Sequence, residues 1–337
     1  MPEKKAQPRK KSESWLKDMV FSAIKGQDRP IEMLKSYLSQ SRLEGGYLFS
    51  GPEGIGKKLT ALTLAKAVNC EEGFAKPCAG CPSCRKIEKN QHPDVHLIEQ
   101  KDSDIKIEEI RLLQHKINLM PYEARVKVFI IDNAHQLTAE AANALLKVLE
   151  EPPKDSLIIL ISDKPALLFK TILSRCKVLK FAPLERERLK DIFREESGLD
   201  ENTAHFLAYF SEGRLGCGLR LKEDDTLRGK NSIIDDFMLS PKPGFHTLPS
   251  QERGEIRRYM NILATWLRDI YMLKTGLAYS QTINFDRKAE LSKLTERFSI
   301  PELNRMIDAI SESLFYLERN INVKLILHNL KAQLCSN

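Results

Sequence analysis

A glycine-rich segment at residues 51–58 has the spacing of a phosphate-binding loop. It follows the apolar run YLFS and places Gly51, Gly54, Gly56 and Lys57 in the order G-x-x-x-x-G-K. In such a loop backbone N–H groups converge on phosphate oxygens, the following helix adds partial positive charge, and the lysine reaches the terminal phosphates. The pattern therefore predicts a nucleotide-type phosphate site, and a glycine-rich turn without a ligand is the lesser alternative.

Two positions near this loop depart from what ATP hydrolysis needs. Lys58 stands where the pattern has Ser or Thr, whose hydroxyl binds magnesium, and an ammonium group repels a metal cation. Asp132, at the end of the run VKVFIID, could hold magnesium through water, but Asn133 follows where many such ATPases have a glutamate that polarises the attacking water. Both departures predict impaired hydrolysis here, and weak or absent nucleotide binding stays open.

Four cysteines are crowded into the stretch that follows the predicted phosphate-loop helix. Cys70, Cys78, Cys81 and Cys84 include two adjacent C-x-x-C pairs. Four thiolates complete the tetrahedral shell of Zn²⁺ and leave no open position for chemistry, so a structural zinc site is predicted. Free reduced cysteines and redox activity are the weaker alternatives. The other cysteines are isolated and receive no ligand role: Cys176, Cys217 and Cys335.

Strands are predicted to alternate with helices up to residue 182. Short apolar runs rich in β-forming residues stand at 47–50, 95–99, 126–132, 157–162 and 178–181. Apolar residues at three- and four-residue spacing predict helices at 57–68, 105–119 and 138–150. Such alternation is typical of a parallel sheet covered on both faces, which binds ligands at its carboxyl edge. We therefore expect the phosphate loop and Asp132 at that edge.

From Pro183 onward the strand pattern ends and helical spacing continues. One long helix is predicted to carry an apolar stripe formed by Ile256, Leu263, Leu267, Ile270 and Leu273. The last helical segment, rich in Leu and Ile, is typical of a bundle core or a subunit interface. The predicted fold class is an α/β P-loop core with a parallel sheet and a four-cysteine zinc insert, followed by a small helical lid and an all-α C-terminal domain.

The predicted organisation has a basic, disordered arm at 1–18, a P-loop core at 19–182 with the zinc module at 70–84, a helical lid at 183–225 and a helical collar at 226–337. The arm supplies most of the formal net charge of +7, because residues 1–12 contain five basic residues and one acidic residue. The remainder of the chain has little excess positive charge, which disfavours direct DNA binding as its main function.

The chain lacks the sequence features of membrane and secreted proteins. No stretch approaches the ~18 to 20 consecutive apolar residues of a membrane span, and no signal-peptide apolar region follows the basic start. Seven cysteines, four of them clustered, fit a reducing compartment better than a disulfide framework. We therefore expect a cytoplasmic protein without disulfides and without a membrane partner.

Six motifs together resemble one family, the bacterial DNA polymerase III clamp-loader subunits of the AAA+ superfamily, and specifically the delta-prime family. They are GQDRPIEML, YLFSGPEGIGKK, the four-cysteine insert, KVFIIDNAH, AANALLKVLEEPP and ILSRC. The resemblance covers residues 20–220 well, and beyond them it rests on helical character and on LERNINVKLIL. It implies an AAA+ RecA-like core and a collar that assembles with gamma/tau and delta subunits into a hetero-pentamer, with ATP at the subunit boundaries.

The resemblance also implies a role for Arg175. Residues 174–176 match the family's SRC motif, so that Arg175 would be an arginine finger inserted into the ATP/Mg²⁺ site of a neighbouring subunit. A delta-prime subunit donates this arginine and does not itself hydrolyse ATP, a role that Lys58 and Asn133 suit. The implied function is that of a non-polymerase subunit of the DNA polymerase III holoenzyme, which helps load the sliding beta clamp onto primed DNA.

Two other functions stay open. The chain could be an autonomous gamma/tau-like AAA+ ATPase in which Lys58 is tolerated, and ATP turnover by the chain alone would indicate this. It could also be a zinc-dependent nucleic-acid-binding module, based on the four-cysteine insert and the basic arm. A steep salt dependence of DNA binding by the isolated chain would favour that function, which the near-neutral body disfavours.

Overall fold

The structure, a computed structural model, describes residues 20–40, 43–100, 103–223, 226–235, 252–319 and 321–335. The chain divides into two units, Met1–Pro183 and Leu184–Asn337. The predicted basic arm at 1–18 lies outside the described residues, and so does residue 225 at the predicted boundary between lid and collar. The division of the second unit into lid and collar stays a prediction.

Five parallel strands form the sheet of the first unit: β1 (Gly45–Ser50), β2 (Val95–Ile98), β3 (Lys127–Ile131), β4 (Ser156–Ser162) and β5 (Cys176–Lys180). Their order across the sheet is β2-β3-β4-β1-β5. The helices of this unit are α1 (Asp28–Ser39), α2 (Lys57–Asn69), α3 (Pro82–Glu88), α4 (Ile107–Asn118), α5 (Ala139–Glu150) and α6 (Lys170–Leu173). Single 3₁₀ turns lie at Phe21–Ala23, Ala134–Gln136 and Pro165–Leu167.

Hydrophobic clusters cover both faces of this sheet. Alternate residues of a strand point to opposite faces, so Tyr47 and Phe49 pack with apolar side chains of α1 and α2, whereas Leu48 packs with those of α4 and α5. All three side chains are fully buried. Burial of a leucine side chain contributes about 1.5–3 kcal/mol. The parallel sheet covered on both faces confirms the predicted fold class.

Sequence signals at the helix starts explain where several helices begin. Thr138 caps α5 by accepting a hydrogen bond from the N–H of Ala141 at 3.2 Å. In the second unit, Ser299 and Glu302 form a reciprocal capping box. Each such cap stabilises a helix by about 0.5–2 kcal/mol.

The second unit contains only helices within its described ranges. They are α7 (Arg186–Glu195), α8 (Glu201–Phe210), α9 (Leu215–Glu223), α10 (Thr226–Ile234), α11 (Arg253–Lys274), α12 (Lys288–Arg297), α13 (Ile300–Glu318) and α14 (Val323–Cys335), with 3₁₀ turns at Tyr279–Gln281 and Phe285–Arg287. The apolar stripe predicted on one helix lies on α11, where its first four members are fully buried and Leu273 is partly buried.

One continuous hydrophobic cluster holds the second unit together. It includes Phe193 and Phe206 from the predicted lid as well as Trp266 from the predicted collar, all of them fully buried or nearly so. None of the helices in the described part of the chain is long and apolar enough to cross a membrane.

Candidate functional site

The loop between β1 and α2 requires glycine at its two ends. Gly51 has a φ of +152°, and a Cβ there would lie 2.3 Å from the carbonyl oxygen of Phe181. Gly56, which precedes the first residue of α2, has a φ of +99°, a conformation that L side chains rarely adopt. Gly54 also has a positive φ, of 79°. The three glycines thus give the loop the tight path that a phosphate-binding turn needs.

Lys57 is folded back onto its own loop. Its Nζ donates to the carbonyl oxygens of Gly51 at 2.5 Å and Pro52 at 2.6 Å, and the residue is only 6% exposed. Burial lowers the pKa of this ammonium, while the carboxylates of Asp163 and Asp132 act in the opposite direction. These two contacts leave one of the three N–H groups of the ammonium for a phosphate.

The ammonium of Lys58 lies beside two carboxylates at the carboxyl edge of the sheet. Its Nζ is 2.6 Å from Oε2 of Glu99 and 3.9 Å from Oδ2 of Asp132. Glu99 directly follows β2 and Asp132 directly follows β3, and these two strands are neighbours. Burial raises the pKa of Asp132 and the charge of Lys58 opposes that rise. A side-chain cation therefore occupies the surroundings in which a P-loop protein would hold magnesium.

Asn133 is engaged in local structure. It adopts a left-handed conformation with a φ of +53°, and its backbone N–H donates to Oδ1 of Asp132 at 3.0 Å. Its side-chain Nδ2 donates to the carbonyl of Gln100 at 3.3 Å. Because a neutral amide cannot accept a proton from water at neutral pH, this position supplies no general base.

Arg175 lies between α6 and β5 and is bound within its own chain. Its Nε donates to Oε1 of Glu150 at 2.8 Å, and Nη2 lies 2.6 Å from the same oxygen as an ion pair. Nη1 donates to the carbonyl of Thr171 and to Ser174 Oγ. A Cβ at Gly46 would lie 2.6 Å from Cδ2 of Leu149 and 3.2 Å from Sγ of Cys176, so glycine permits the close approach of β1 to its neighbours here. These contacts within the described residues involve no part of the phosphate loop.

The four clustered cysteines bring their sulfur atoms within 4.8 Å of one another. Cys70 follows α2, and Cys81 caps α3 by accepting from the N–H of Cys84 at 3.4 Å. Cys78 Sγ accepts from the N–H groups of Gly80 and Cys81 at 3.4 and 3.2 Å. An ion bound to four thiolates at about 2.3 Å would place the sulfurs roughly 3.8 Å apart. The arrangement could therefore bind a metal ion.

The electrostatics of the cluster also fit a metal. The N–H groups of Cys81 and Gly80 lower the pKa of the exposed Cys78 to about 7. Burial raises the pKa of Cys84, so a thiolate at that position needs a compensating cation. A bound divalent ion would supply this charge for all four sulfurs.

Polar contacts tie the end of α2 to α3 and to the segment that leads into β3. Asn69, the last residue of α2, accepts through Oδ1 from the N–H groups of Arg125 and Val126 and donates through Nδ2 to the carbonyl of Val126. Lys66 is fully buried and lies 3.1 Å from Glu88 on α3. These contacts fix the end of the helix that begins at the phosphate loop.

The sequence alone did not predict which carboxylates bind Lys58 and Arg175. Glu99 ends the predicted run 95–99, and its position at a strand's carboxyl end was a signal that it would approach Asp132. Glu150 lies in the family-specific run around AANALLKVLEEPP, but no local pattern links it to Arg175, which is 25 residues away.

The fold and site together define a class. A strand order of β2-β3-β4-β1-β5, a phosphate loop after β1, an aspartate after β3 and a helical C-terminal unit are the features of AAA+-type P-loop proteins. This class agrees with the AAA+ P-loop core that the sequence predicts.

Comparisons with known proteins identify the family. Residues 26–185 match the family described as DNA polymerase III, delta subunit, and residues 237–334 match its described C-terminal part. The DNA polymerase III subunit delta' of Bacillus subtilis (strain 168) is 30% identical over 321 residues, which cover 91% of this chain and 96% of that relative. The chain belongs to the delta' family of DNA polymerase III clamp-loader subunits, as its motifs predicted.

Two other known proteins match a smaller share of this chain or match it at lower sequence identity. The DNA polymerase III subunit tau of Escherichia coli (strain K12) is 37% identical over 220 residues, covering 64% of this chain and 34% of tau. A solved structure of a gamma subunit-related protein from Thermotoga maritima is 18% identical, with a TM-score of 0.45, over 89% of this chain and 97% of that one.

Proposed function

We propose that this chain is a clamp-loader subunit that does not hydrolyse ATP itself and donates Arg175 to the ATP/Mg²⁺ site of a neighbouring subunit. It acts in the cytoplasm within a hetero-pentamer that also contains gamma/tau and delta subunits. Through this complex it takes part in loading the sliding beta clamp onto primed DNA. The relatives named above are subunits of DNA polymerase III, which supports these partners.

The proposal that this chain does not hydrolyse ATP rests on the position of Lys58. Catalysis of phosphoryl transfer depends on a magnesium ion that bridges the last two phosphates and on hydroxyl and carboxylate ligands that hold it. Here the hydroxyl is replaced by an ammonium that lies 3.9 Å from Asp132. Repulsion of magnesium by Lys58 and the absence of a base at Asn133 both disfavour hydrolysis in this chain's own site.

The surface around Arg175 supports a role in trans. The segment 164–180 contains five basic residues and no acidic residue. Two of its apolar side chains are well exposed, Leu167 at 64% and Phe169 at 43%. A basic segment with exposed apolar side chains fits a protein neighbour that presents an anionic nucleotide.

We also propose that the four cysteines hold Zn²⁺ in a structural role. A set of four thiolates favours zinc over harder cations such as magnesium, and four protein ligands leave no open position for chemistry. The ion would cross-link the end of α2, at Cys70, to the start of α3, at Cys81 and Cys84.

ATP turnover by the purified chain, alone and mixed with the other loader subunits, tests the proposal. We expect no turnover by the chain alone, and turnover in the mixture that Arg175→Ala lowers. Arg125→Ala is the matched control, since Arg125 is exposed and donates to Asn69 through its backbone N–H, which the substitution keeps. Turnover by the chain alone that Lys57→Ala abolishes would instead establish an autonomous gamma/tau-like ATPase.

A further inference from the structure

Arg175 uses most of its hydrogen-bond donors inside its own chain. The Nε–H group donates to Oε1 of Glu150, and Nη2 lies 2.6 Å from the same oxygen as an ion pair. Nη1 donates to the carbonyl of Thr171 and to Ser174 Oγ. A guanidinium carries five N–H groups. The edge formed by Nε and Nη2 faces Glu150, so a phosphate can bind that edge in a two-pronged contact only by displacing the Glu150 carboxylate.

The place of Glu150 makes a cationic partner favourable. Glu150 is the last residue of α5, where the negative end of the helix dipole disfavours a carboxylate. Glu151 follows with a second negative charge. Arg175, which follows α6, offsets this excess by binding Glu150 from a different element of the chain.

The contact is also easily exchanged. The side chains of Arg175 and Glu150 are 34% and 50% exposed, so solvent screens their attraction. Exposed ion pairs of this kind contribute little to stability, because water competes for both partners. A more highly charged acceptor brought to Arg175 can therefore replace Glu150.

We propose that Glu150 is a latch for Arg175. It holds the guanidinium against its own chain, and Arg175 reaches the neighbouring subunit's nucleotide once phosphate oxygens replace the Glu150 carboxylate. This inference rests on the proposed function of Arg175 as a finger in trans. A triphosphate carries more negative charge than a diphosphate, so the exchange favours a neighbour that holds ATP. The latch thereby links engagement of the finger to the charge of the neighbour's nucleotide.

Glu150→Gln tests the latch, because it keeps the side-chain length and removes the charge. In the assembled loader, at an ATP concentration below half-saturation, we expect turnover to rise about two- to fivefold. The matched control Glu151→Gln, which changes the adjacent carboxylate, leaves turnover at the wild-type value. In an Arg175→Ala background Glu150→Gln has no effect, because no guanidinium is left to release.

The outcomes separate the latch from the finger. If Arg175→Ala lowers turnover while Glu150→Gln leaves it unchanged or lowers it, the latch is wrong and the finger assignment stands. If Arg175→Ala has no effect on turnover, the finger assignment fails and the latch fails with it.

A measurement on the free chain tests the contact without any partner. The Nε–H signal of Arg175 in a ¹⁵N NMR spectrum is identified by its loss in Arg175→Ala. We expect its hydrogen exchange with solvent to be faster in Glu150→Gln than in wild type, and unchanged in Glu151→Gln. Equal exchange in wild type and Glu150→Gln would overturn the latch.

Discussion

Replacing Lys58 by threonine is expected to restore a divalent-cation site beside the phosphate loop. The substitution removes the ammonium that lies 2.6 Å from Glu99 and 3.9 Å from Asp132. It also supplies the hydroxyl that phosphate loops of this pattern use to bind magnesium. Glu99, Asp132 and the new hydroxyl then offer oxygen atoms, the ligand type that magnesium prefers.

The magnitude follows from the geometry. A magnesium ion bound to Oδ2 of Asp132 would lie about 2.1 Å from that oxygen, and Nζ of Lys58 lies 3.9 Å from it. The two cations would thus be no more than about 6 Å apart, where they repel by about 1.4 kcal/mol in bulk water and about 5.5 kcal/mol at an effective dielectric constant of 20. Lys58→Thr should therefore tighten magnesium-dependent nucleotide binding at least tenfold or so.

Fluorescence titration with a labelled ATP analogue, in magnesium and in chelator, measures this effect. We expect Lys58→Thr to bind more tightly in magnesium than in chelator, and wild type to show no such difference. Lys58→Arg, which keeps the positive charge, is the matched control and should behave as wild type. Wild-type binding that depends on magnesium as strongly as that of Lys58→Thr would show that Lys58 does not exclude magnesium.

Three further predictions concern stability. Asp94→Asn should lower the free energy of unfolding by about 2–4 kcal/mol. The reason is that the carboxylate of Asp94 accepts four hydrogen bonds from three successive backbone N–H groups. Urea unfolding measures this loss, and an equal loss in the exposed control Asp104→Asn would contradict the prediction. Removal of metal by a chelator should lower the thermal unfolding midpoint of wild type but not of Cys81→Ser, and an equal shift in both would argue against a structural ion. Burial, and secondarily the charge of Lys116, lowers the pKa of His96 to about 4, below its ordinary value of about 6.5. As the pH drops, the unfolded chain is therefore protonated at this histidine before the folded chain is. The free energy of unfolding falls for this reason between about pH 6.5 and about pH 4. The contribution is about 1–2 kcal/mol after allowance for partial exposure, and His96→Gln should flatten the fall measured by urea unfolding at pH 7, 6 and 5; an unchanged fall would contradict it.

Much of the first unit could be predicted from local pattern. The predicted strand 157–162 corresponds to β4, and the predicted helix 57–68 corresponds to α2, with ends that differ by one residue. These elements have strong signals, since β4 is buried along its whole length and α2 begins directly at the phosphate loop. The short helices α3 and α6 were not predicted, because seven and four residues are too few for a helical apolar period to show.

The partners of the site residues could not be predicted in the same way. Lys58 meets Glu99 because β2 and β3 are neighbours, and strand order depends on packing between distant parts of the chain. Arg175 meets Glu150 because the end of α5 and the segment after α6 approach each other in the folded chain. In both cases sequence predicted which cation was unusual, and the structure was needed to find the carboxylate that binds it.

The most direct test of whether Arg175 acts on a neighbouring subunit compares Lys57→Ala with Arg175→Ala in the assembled loader. If this chain's own site is inactive and its finger acts on a neighbour, Lys57→Ala leaves ATP turnover unchanged, whereas Arg175→Ala lowers the rate at the contacted site by about 10³-fold. Turnover that falls with Lys57→Ala and is unaffected by Arg175→Ala would contradict the account.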